Sequence, residues 1–424
     1  MLSMTEKTLY LNSGKCSHAK CVFCGWGTYE YPKLSFNELK EWFDTRVDEV
    51  ETLKIFNSGS FLDNNQVDPK FRKWLIKRCE ELEIKNLVIE SRPEFVTQES
   101  LNEMKSNKVH ITVAIGLEVA DNEVLKNVNK GFTVEDYLNA AKILKKNNFG
   151  LRSYVLVNIP FETDESLEKS IKIAKENSDS VVIINWFPHG YSPAFNLWLE
   201  GKHKPLDKTE FEEKTKTFTN VEKDFDNFVF KPLWPKNKQR WINGATEKEL
   251  KHPYYEIWQD FIVRFYKNKR KNVLFVPCAF RKPYTRSKLH KAIRRALFKI
   301  PNSRELHLIV ISSPGVIPYE FADKYPFNKY DWKEWEETPE IKQMYIEVNQ
   351  KRIENYLQTH KYEKYFCYLR PDSESYKALH NACDMLGIKI IDCISDETFE
   401  KIKDEKNALS LDEPLEDLKK NLVF

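Results

Sequence analysis

Three cysteines lie close together near the start of the sequence, at Cys16, Cys21 and Cys24. Two cysteines would suffice for a redox pair, and four would close a structural zinc site. Three thiols without a nearby fourth predict a metal centre that keeps one coordination position open. A zinc site completed by a distant fourth ligand is the alternative.

A second group of reactive side chains lies between Pro277 and His290. It contains Cys278, Lys282, Ser287 and His290, which follow a predicted strand and lead into a predicted helix. A helix N-terminus favours anions and lowers the pKa of a thiol, so these residues suit a nucleophile with an acid–base partner. A half-buried thiol followed by a basic, nucleic-acid-binding helix fits the spacing equally well.

The elements that must position the first group alternate along the N-terminal half. Apolar runs predict strands at Thr8–Asn12, Leu53–Asn57, Asn86–Glu90, His110–Gly116, Leu151–Ile159 and Ser180–Trp186. Helical periodicity predicts helices at Phe36–Val50, Asp68–Leu82, Val134–Lys146 and Asp164–Asn177. Six repeats of strand and helix predict an α/β fold with a parallel sheet curled into a partial (β/α)6 barrel. Chemistry in such barrels occurs at the carboxyl ends of the strands.

Polar and glycine-rich segments follow these predicted strands, one after another. After the cysteines come 57–63, 90–94, 116–118, 158–160 and 185–190. This order predicts that one rim of one barrel carries the site.

The C-terminal half predicts a smaller parallel α/β domain. Its predicted strands are Val273–Val276, Glu305–Ser312, Tyr365–Leu369 and Ile388–Cys393, and its helices are Ser287–Lys299, Ile341–Thr359 and Ser373–Leu386. With 424 residues, two domains are expected. We predict a first domain over 5–235, a linker over 236–265, a second domain over 266–395 and an acidic tail over 396–424.

Composition and charge limit the classes of partner that we expect the protein to bind. No apolar run approaches the roughly 20 residues of a membrane span, so no membrane partner is expected. Eight cysteines in this length do not suggest a disulfide framework, and we expect a reducing cytoplasm. The net charge of +3 does not by itself imply nucleic acid, but Arg264 to Arg304 contains fourteen Lys or Arg and no acid. We expect this stretch to contact phosphates.

The cysteine loop resembles the radical S-adenosylmethionine superfamily, with Phe23 as the aromatic residue before the last cysteine. In that family three thiolates hold a [4Fe–4S] cluster, and the open iron binds S-adenosylmethionine. The family spacing is three residues and then two, whereas four residues separate Cys16 from Cys21. The resemblance implies Cys16, Cys21 and Cys24 as cluster ligands.

The rim segments resemble the elongator-acetyltransferase-like branch of that superfamily. Ser58, Gly59 and Ser60 stand where the family pairs with the methionyl amino group. The segments from Glu90 to Glu94, Gly116 to Glu118 and Asn129 to Gly131 are similar to the radical enzymes of archaeosine biosynthesis, over residues 5–235. The resemblance implies cofactor contacts from Ser58, Gly59, Ser60, Glu90, Arg92, Glu118 and Arg152.

The second group resembles the archaeosine synthase family, which joins Pro-Cys, Lys-Pro-Tyr, Ser and His at the same spacing. Segments from Ser312 to Pro318 and from Tyr325 to Asp331 continue the resemblance through residues 250–395. The family's larger members add transglycosylase-like and RNA-binding domains, which are not evident in this sequence. A separate transglycosylase-type partner is therefore possible.

Together the resemblances imply a bifunctional enzyme acting on tRNA that carries cyano-deazaguanine. Free lysine is added to the nitrile, and radical chemistry then cleaves the lysine carbon–nitrogen bond to leave archaeosine. In the addition, Cys278 attacks first to give a thioimidate, or Lys282, Ser287 and His290 activate nitrile and amine directly. Two rivals are a radical enzyme whose C-terminal domain only delivers RNA, and a non-catalytic RNA-binding scaffold with a structural cluster.

Overall fold

A computed structural model of the chain describes residues 5–190, 192–225, 232, 234, 236–301, 303–405 and 407–422. The chain divides into two compact units, Met1–Val229 and Phe230–Phe424. Among the described residues, no helix is both long enough and apolar enough to cross a bilayer.

The first unit alternates strands and helices. Its strands are β1 (Glu6–Leu11), β2 (Thr52–Asn57), β3 (Asn86–Glu90), β4 (His110–Glu118), β5 (Gly150–Val157), β6 (Ser180–Asn185) and β7 (Glu222–Asp224). Its helices are α1 (Phe36–Asp44), α2 (Pro69–Glu81), α3 (Gln98–Asn102), α4 (Asn122–Asn127), α5 (Val134–Lys146), α6 (Asp164–Asn177), α7 (Ala194–Leu199) and α8 (Lys208–Thr215). Reciprocal side-chain caps begin several helices, as at Thr133 before α5 and Thr163 before α6.

The seven strands form one parallel sheet in the order β1 to β7, as an open partial barrel. Residues such as Leu9, Leu53 and Val113 alternate onto the face that packs against the helices and form the apolar core. The opposite face, which we call the inner face, carries Tyr10, Glu90 and other polar side chains. The predicted fold class is therefore confirmed, with β7 as an additional short strand.

The second unit is a smaller α/β domain. Its strands are β8 (Ile242–Asn243), β9 (Asn272–Pro277), β10 (Leu306–Ser312), β11 (Gly315–Pro318), β12 (Tyr330–Asp331), β13 (Lys364–Cys367) and β14 (Ile390–Asp392). Its helices are α9 (Glu247–Leu250), α10 (Pro253–Arg264), α11 (Lys288–Phe298), α12 (Pro339–Thr359), α13 (Glu374–Met385), α14 (Asp396–Ile402) and α15 (Asp412–Asn421).

The main sheet of the second unit has the order β11-β10-β9-β13-β14. Four strands are parallel, and β11 folds back antiparallel to β10 at the edge, which the sequence did not indicate. The chain moves from β9 to β10 on one side and returns to β13 on the other side. Such a switch in strand order opens a crevice at the carboxyl end of β9, where α/β proteins bind ligands.

The segment over 236–265, predicted to be a linker, is built into the second unit. Trp258 of α10 is fully buried and donates its indole N–H to the Tyr325 carbonyl oxygen at 2.8 Å. The predicted tail after residue 396 likewise forms α14 and α15, and α15 packs against α11. The boundary predicted at 235 lies outside the described residues, as do 226–231 and 233.

Candidate functional site

The cysteine loop follows β1, and a distant turn after α4 fixes its position. The Val22 amide donates to the Val128 carbonyl oxygen at 2.8 Å. The Asn129 side-chain amide donates to the Lys20 carbonyl oxygen at 3.1 Å, and the His18 ring nitrogen lies 2.7 Å from the Asn129 carbonyl oxygen. The loop conformation therefore depends on residues more than one hundred positions later in the chain.

The three thiols are free and partly buried within this loop. Burial raises the pKa of Cys24 to about 11, while main-chain N–H donors from Gly27 and Trp26 act in the opposite direction. Burial also raises the pKa of Cys21, opposed by the nearby cations of Lys130 and Arg92. The Ala19 amide donates to the Cys16 sulfur at 3.4 Å. The loop thus supplies donors and cations suited to thiolates.

Ser58, Gly59 and Ser60 form a tight segment at the carboxyl end of β2. The buried Gln66 side chain holds it, accepting from the Ser60 amide at 2.7 Å and donating to the Ser58 carbonyl oxygen at 3.0 Å. Gly59 has a φ of +141°, and a Cβ there would lie 2.2 Å from the Gln66 Oε1 and 3.0 Å from the Cys16 Cβ. Only glycine fits here, beside a cysteine.

Glu118 and Arg92 meet at Lys130, which sequence reasoning quoted within a motif but did not assign to the site. Lys130 Nζ donates to Glu118 Oε1 at 2.6 Å, and all three side chains are buried. Arg92 donates to the Lys130 carbonyl oxygen at 2.9 Å. Glu118 stands at a bulge of β4 with a φ of +63°, a left-handed conformation that re-aims its side chain. The Lys130 ammonium also lies 5.5 Å from the Phe23 ring centroid.

Glu90 lies at the end of β3 on the inner face. Its Oε2 accepts from the Asn57 amide at 3.0 Å. Burial raises the pKa of Glu90 to about 8. The pKa values of Tyr10 and Tyr154 are raised first by burial and then by Glu90, which places this carboxyl near both phenols.

Asn57, which sequence reasoning did not single out, carries two buried side-chain atoms with no hydrogen-bond partner among the described residues.

Arg152 does not join this group. It is the third residue of β5, near the amino end of the strand, rather than at the carboxyl rim where the prediction placed it. Its guanidinium donates to Glu222 at 2.5 Å and stacks over Tyr154. Arg152 is also the second residue of the predicted strand Leu151–Ile159, so its cofactor role was implied by the resemblance and not by its place on the strand.

In the second unit, Cys278 follows β9 at the point where the strand order switches. Burial raises the pKa of the Cys278 thiol, opposed by the Lys282 ammonium. The predicted lowering of this pKa by a helix terminus is therefore wrong. Helix α11 begins only at Lys288, ten residues later, and desolvation dominates.

Lys282 lies beside this thiol and is itself desolvated. Burial lowers its pKa, although Cys278, Asp331 and Glu334 partly oppose the shift. Its Nζ lies 4.1 Å from the centroid of the Tyr330 ring. Because burial disfavours both charged forms, the pair is biased toward a neutral thiol and a neutral amine.

Ser287 and His290 hold the loop rather than facing Lys282. Ser287 caps α11 by accepting from the His290 amide at 3.4 Å. A His290 ring nitrogen lies 3.0 Å from the Pro277 carbonyl oxygen, and its ring packs between Tyr284 and Tyr319. Burial lowers the pKa of His290 to about 4, so it is neutral at pH 7. These contacts fix the residue immediately before Cys278.

Three hydroxyls near Cys278 form a buried chain that sequence reasoning did not assign. Ser312 Oγ lies 2.6 Å from the Tyr330 hydroxyl, which also hydrogen-bonds the Tyr284 hydroxyl. Ser312 ends β10, beside β9, and hydrogen-bonds Cys278. All three belong to the motifs quoted from the sequence, which was the available signal.

The cations of the acid-free stretch from 264 to 304 lie toward both ends of β9. Lys267, Lys269 and Arg270 are exposed before β9, and Arg281 follows the strand, six residues of about 3.3 Å each later. After α11 the chain returns to the amino end of the sheet, where Leu306 pairs with Asn272. Helix α11 carries Lys288, Lys291 and Arg295 exposed, and no ion pair found among the described residues involves them. The expectation that this stretch contacts phosphates stays a prediction.

Two families match the chain. Residues 13–174 match the Radical SAM superfamily, and residues 256–411 match a Domain of unknown function (DUF5591). The cysteine loop lies at the start of the first match, and Cys278 lies inside the second. The match over residues 13–174 lies within the first unit, and the Radical SAM superfamily implies a [4Fe–4S] cluster and S-adenosylmethionine.

Curated proteins that are similar to the chain include several archaeosine synthase subunits. It is 30% identical to archaeosine synthase subunit beta of Methanosarcina acetivorans, over 36% of this chain and 46% of that protein. Subunit beta of Thermococcus kodakarensis is also 30% identical, over 38% of this chain and 55% of that protein. Archaeosine synthase subunit alpha of Thermoplasma acidophilum is 26% identical, over 31% of this chain and 25% of that protein. The chain spans about half the length of the two beta subunits.

The described residues fit both cofactors. Cys16, Cys21 and Cys24 supply three thiols among N–H donors and cations. The missing Cβ of Gly59 leaves a cradle of main-chain polar groups beside Cys16. Such a cradle suits the amino-acid end of S-adenosylmethionine, which needs both donors and acceptors.

Proposed function

We propose that this protein modifies tRNA in archaeosine synthesis and that one chain carries both chemical steps. The second unit joins the side-chain amine of free lysine to the nitrile of cyano-deazaguanine in tRNA. The first unit then breaks the lysine carbon–nitrogen bond, which leaves the amidine of archaeosine. A separate transglycosylase-type protein places the cyano-base in the tRNA beforehand.

The observation that carries the proposal is the pair of Cys278 and Lys282 at the crevice beside β9. A thiol or an amine must give up its proton when it adds to a nitrile. Burial lowers the pKa of the Lys282 ammonium, which favours the neutral amine that can accept this proton. In the covalent route, Lys282 takes the thiol proton as the Cys278 sulfur attacks the nitrile carbon. The nitrile nitrogen receives that proton, and the side-chain amine of the substrate lysine later displaces the Cys278 thiolate.

In the direct route, Lys282 takes the proton from the incoming substrate amine, and Tyr330 donates a hydrogen bond to the nitrile nitrogen. Both routes need Lys282, and they differ in whether Cys278 forms a bond. Ser287 and His290 are positioning residues in either case, because their contacts hold the α11 N-terminus and Pro277.

The first unit supports the second step through its rim. Bound there, the cluster and S-adenosylmethionine supply one-electron chemistry that removes a hydrogen atom from the lysine moiety. Cys16, Cys21 and Cys24 hold the cluster, while Asn57 and the backbone around Gly59 orient the methionyl end. Glu90 and Tyr154 line the inner face where the substrate must enter.

The test supplies anaerobic, reduced protein with isotope-labelled lysine and cyano-deazaguanine tRNA, and nucleosides are analysed by mass. With lysine labelled in its carbon atoms, we expect a labelled adduct followed by archaeosine that has lost the label, because only the side-chain nitrogen of lysine stays in the amidine. Replacing Lys282 with Ala should leave the nitrile base unchanged, and Lys361→Ala, at an exposed lysine of the same unit, is the matched control. If wild-type protein forms no adduct but converts supplied adduct, the second unit only delivers RNA.

A further inference from the structure

Cys367, His380 and Asp392 form a cluster in the second unit that the proposed function does not use. Cys367 ends β13, Asp392 ends β14, and the two are direct partners across the parallel strands. His380 reaches them from α13. One sulfur, one ring nitrogen and one carboxylate oxygen from these residues all lie within 4.8 Å of one another.

The cluster is held by a further side chain. A His380 ring nitrogen lies 3.0 Å from Asp392 Oδ1, and the Tyr376 hydroxyl donates to Asp392 Oδ2 at 3.0 Å. The Tyr376 ring stacks on the His380 ring with centroids 3.9 Å apart. Both polar groups are thus fixed in direction, as the ligands of a metal usually are.

The burial of the three residues is graded from the core to the surface. Cys367 is buried, whereas the side chains of His380 and Asp392 are 24% and 38% exposed. An ion could therefore enter from solvent and meet a thiol shielded from oxidants. In the described structure Asp392 instead accepts hydrogen bonds from its neighbours, which is the metal-free alternative.

We propose that Cys367, His380 and Asp392 bind one zinc-type divalent metal ion. A thiolate, an imidazole and a carboxylate are ligands that zinc accepts together, with water in the fourth position. Binding replaces the thiol proton of Cys367 with the metal and separates His380 from Asp392. The site ties together the carboxyl ends of two edge-side strands and α13.

The test is a Co²⁺ titration of the full chain with Cys16, Cys21 and Cys24 replaced by serine, so that the cysteine loop of the first unit adds no thiolate ligand. We expect one equivalent to bind and to give a thiolate-to-cobalt charge-transfer band. Cys367→Ser should abolish that band, and His380→Ala should weaken binding at least about tenfold. Cys383→Ser, a buried thiol on the same helix, is the matched control and should bind like the parent.

The absence of a charge-transfer band in the parent protein would overturn the proposal directly. So would a band that survives both Cys367→Ser and His380→Ala, because the ion would then lie elsewhere. If Cys367→Ser fails to fold, Asp392→Asn decides the question, because it keeps the shape and should still weaken Co²⁺ binding. Circular dichroism of each variant separates lost binding from lost folding.

Discussion

Lys282 is the residue on which the proposed chemistry of the second unit depends. Burial lowers the pKa of its ammonium, and the Tyr330 ring supports whatever charge remains. Its acid–base role therefore requires a side chain that can lose its proton. An arginine at this position would keep its charge at every accessible pH.

We expect Lys282→Arg to reduce adduct formation by at least about a hundredfold, the lower range for loss of an acid–base group. In wild-type protein, adduct formation should rise with pH through the lowered pKa of Lys282, because only the neutral amine accepts a proton. Initial rates of labelled-lysine incorporation between pH 6 and 9 measure both the loss in the arginine variant and the pH dependence of the wild-type protein. An arginine variant that keeps more than a tenth of the rate would contradict this role.

Lys130 and Glu118 make a second prediction about single residues. Both side chains are buried, and Lys130 Nζ lies 2.6 Å from Glu118 Oε1. Removing one side chain therefore leaves an unpaired buried charge. We expect Lys130→Met to destabilise the first unit by about 3 kcal/mol or more. The double variant with Glu118→Gln should lose less stability than the two single variants lose together.

Urea dependence of hydrogen exchange in β4 and β5 measures this coupling. The exposed pair of Lys85 and Glu51 is the control, and its coupling should be too small to detect. Additive effects at Lys130 and Glu118 would show that the pair does not act as a unit.

At the scale of elements, sequence patterns located helices best where a cap is encoded. Helices α1, α5 and α6 begin at the predicted residues because Ser35, Thr133 and Thr163 cap them reciprocally. Helix α1 was predicted to reach Val50 but ends at Asp44, where the Thr45 hydroxyl donates to the Glu41 carbonyl oxygen. Such a local bond has no signature in hydrophobic periodicity.

The same distinction applies to the candidate sites: local patterns predicted the residues at strand ends, whereas residues placed by tertiary contacts were not predicted. The strand ends placed Glu90 and Glu118 correctly on the rim, because alternation and strand length fix them. Lys130 could not be assigned, because its contact with Glu118 depends on the path of a turn between strands. The sign of the Cys278 pKa shift also needed the structure, because it depends on burial rather than on residue order.

Helix α11 is the element that we expect to contact tRNA. Lys288, Lys291 and Arg295 are exposed along it and follow the Cys278 loop in the chain. Replacing all three with glutamine should flatten the slope of log affinity against log salt by about two, at about 0.7 per phosphate. Filter binding of tRNA across salt concentrations measures this slope.

The control replaces Lys267, Lys269 and Arg270, which lie before β9, with glutamine. Because these cations are near the opposite end of that strand, we expect the slope to stay unchanged. A larger change from this control than from α11 would move the RNA to the amino end of the sheet.

At the scale of the whole molecule, the two candidate sites share no catalytic group. The cysteine loop belongs to one sheet and Cys278 to another, and addition of an amine to a nitrile needs no electron transfer. Replacing Cys16, Cys21 and Cys24 with alanine should abolish iron and sulfide content. Such a variant should still convert the nitrile base to its lysine adduct and stop there.

Mass analysis of tRNA nucleosides after incubation with this variant and lysine checks the expectation. Cys79→Ala, a buried thiol of the same unit, is the control and should retain its cluster. A folded triple variant that forms no adduct would contradict the assignment of the two steps to separate units. It would favour a second unit that only delivers RNA.

The attachment of the cysteine loop to Val128 and Asn129 has a consequence for biogenesis. During synthesis the three thiols leave the ribosome long before the turn that shapes their loop. Until α4 and that turn have emerged, the nascent chain holds the cysteines without a defined geometry, exposed to oxidants and to stray metals. The cysteine loop can therefore take its final shape only after the first four strands and this turn have been synthesised.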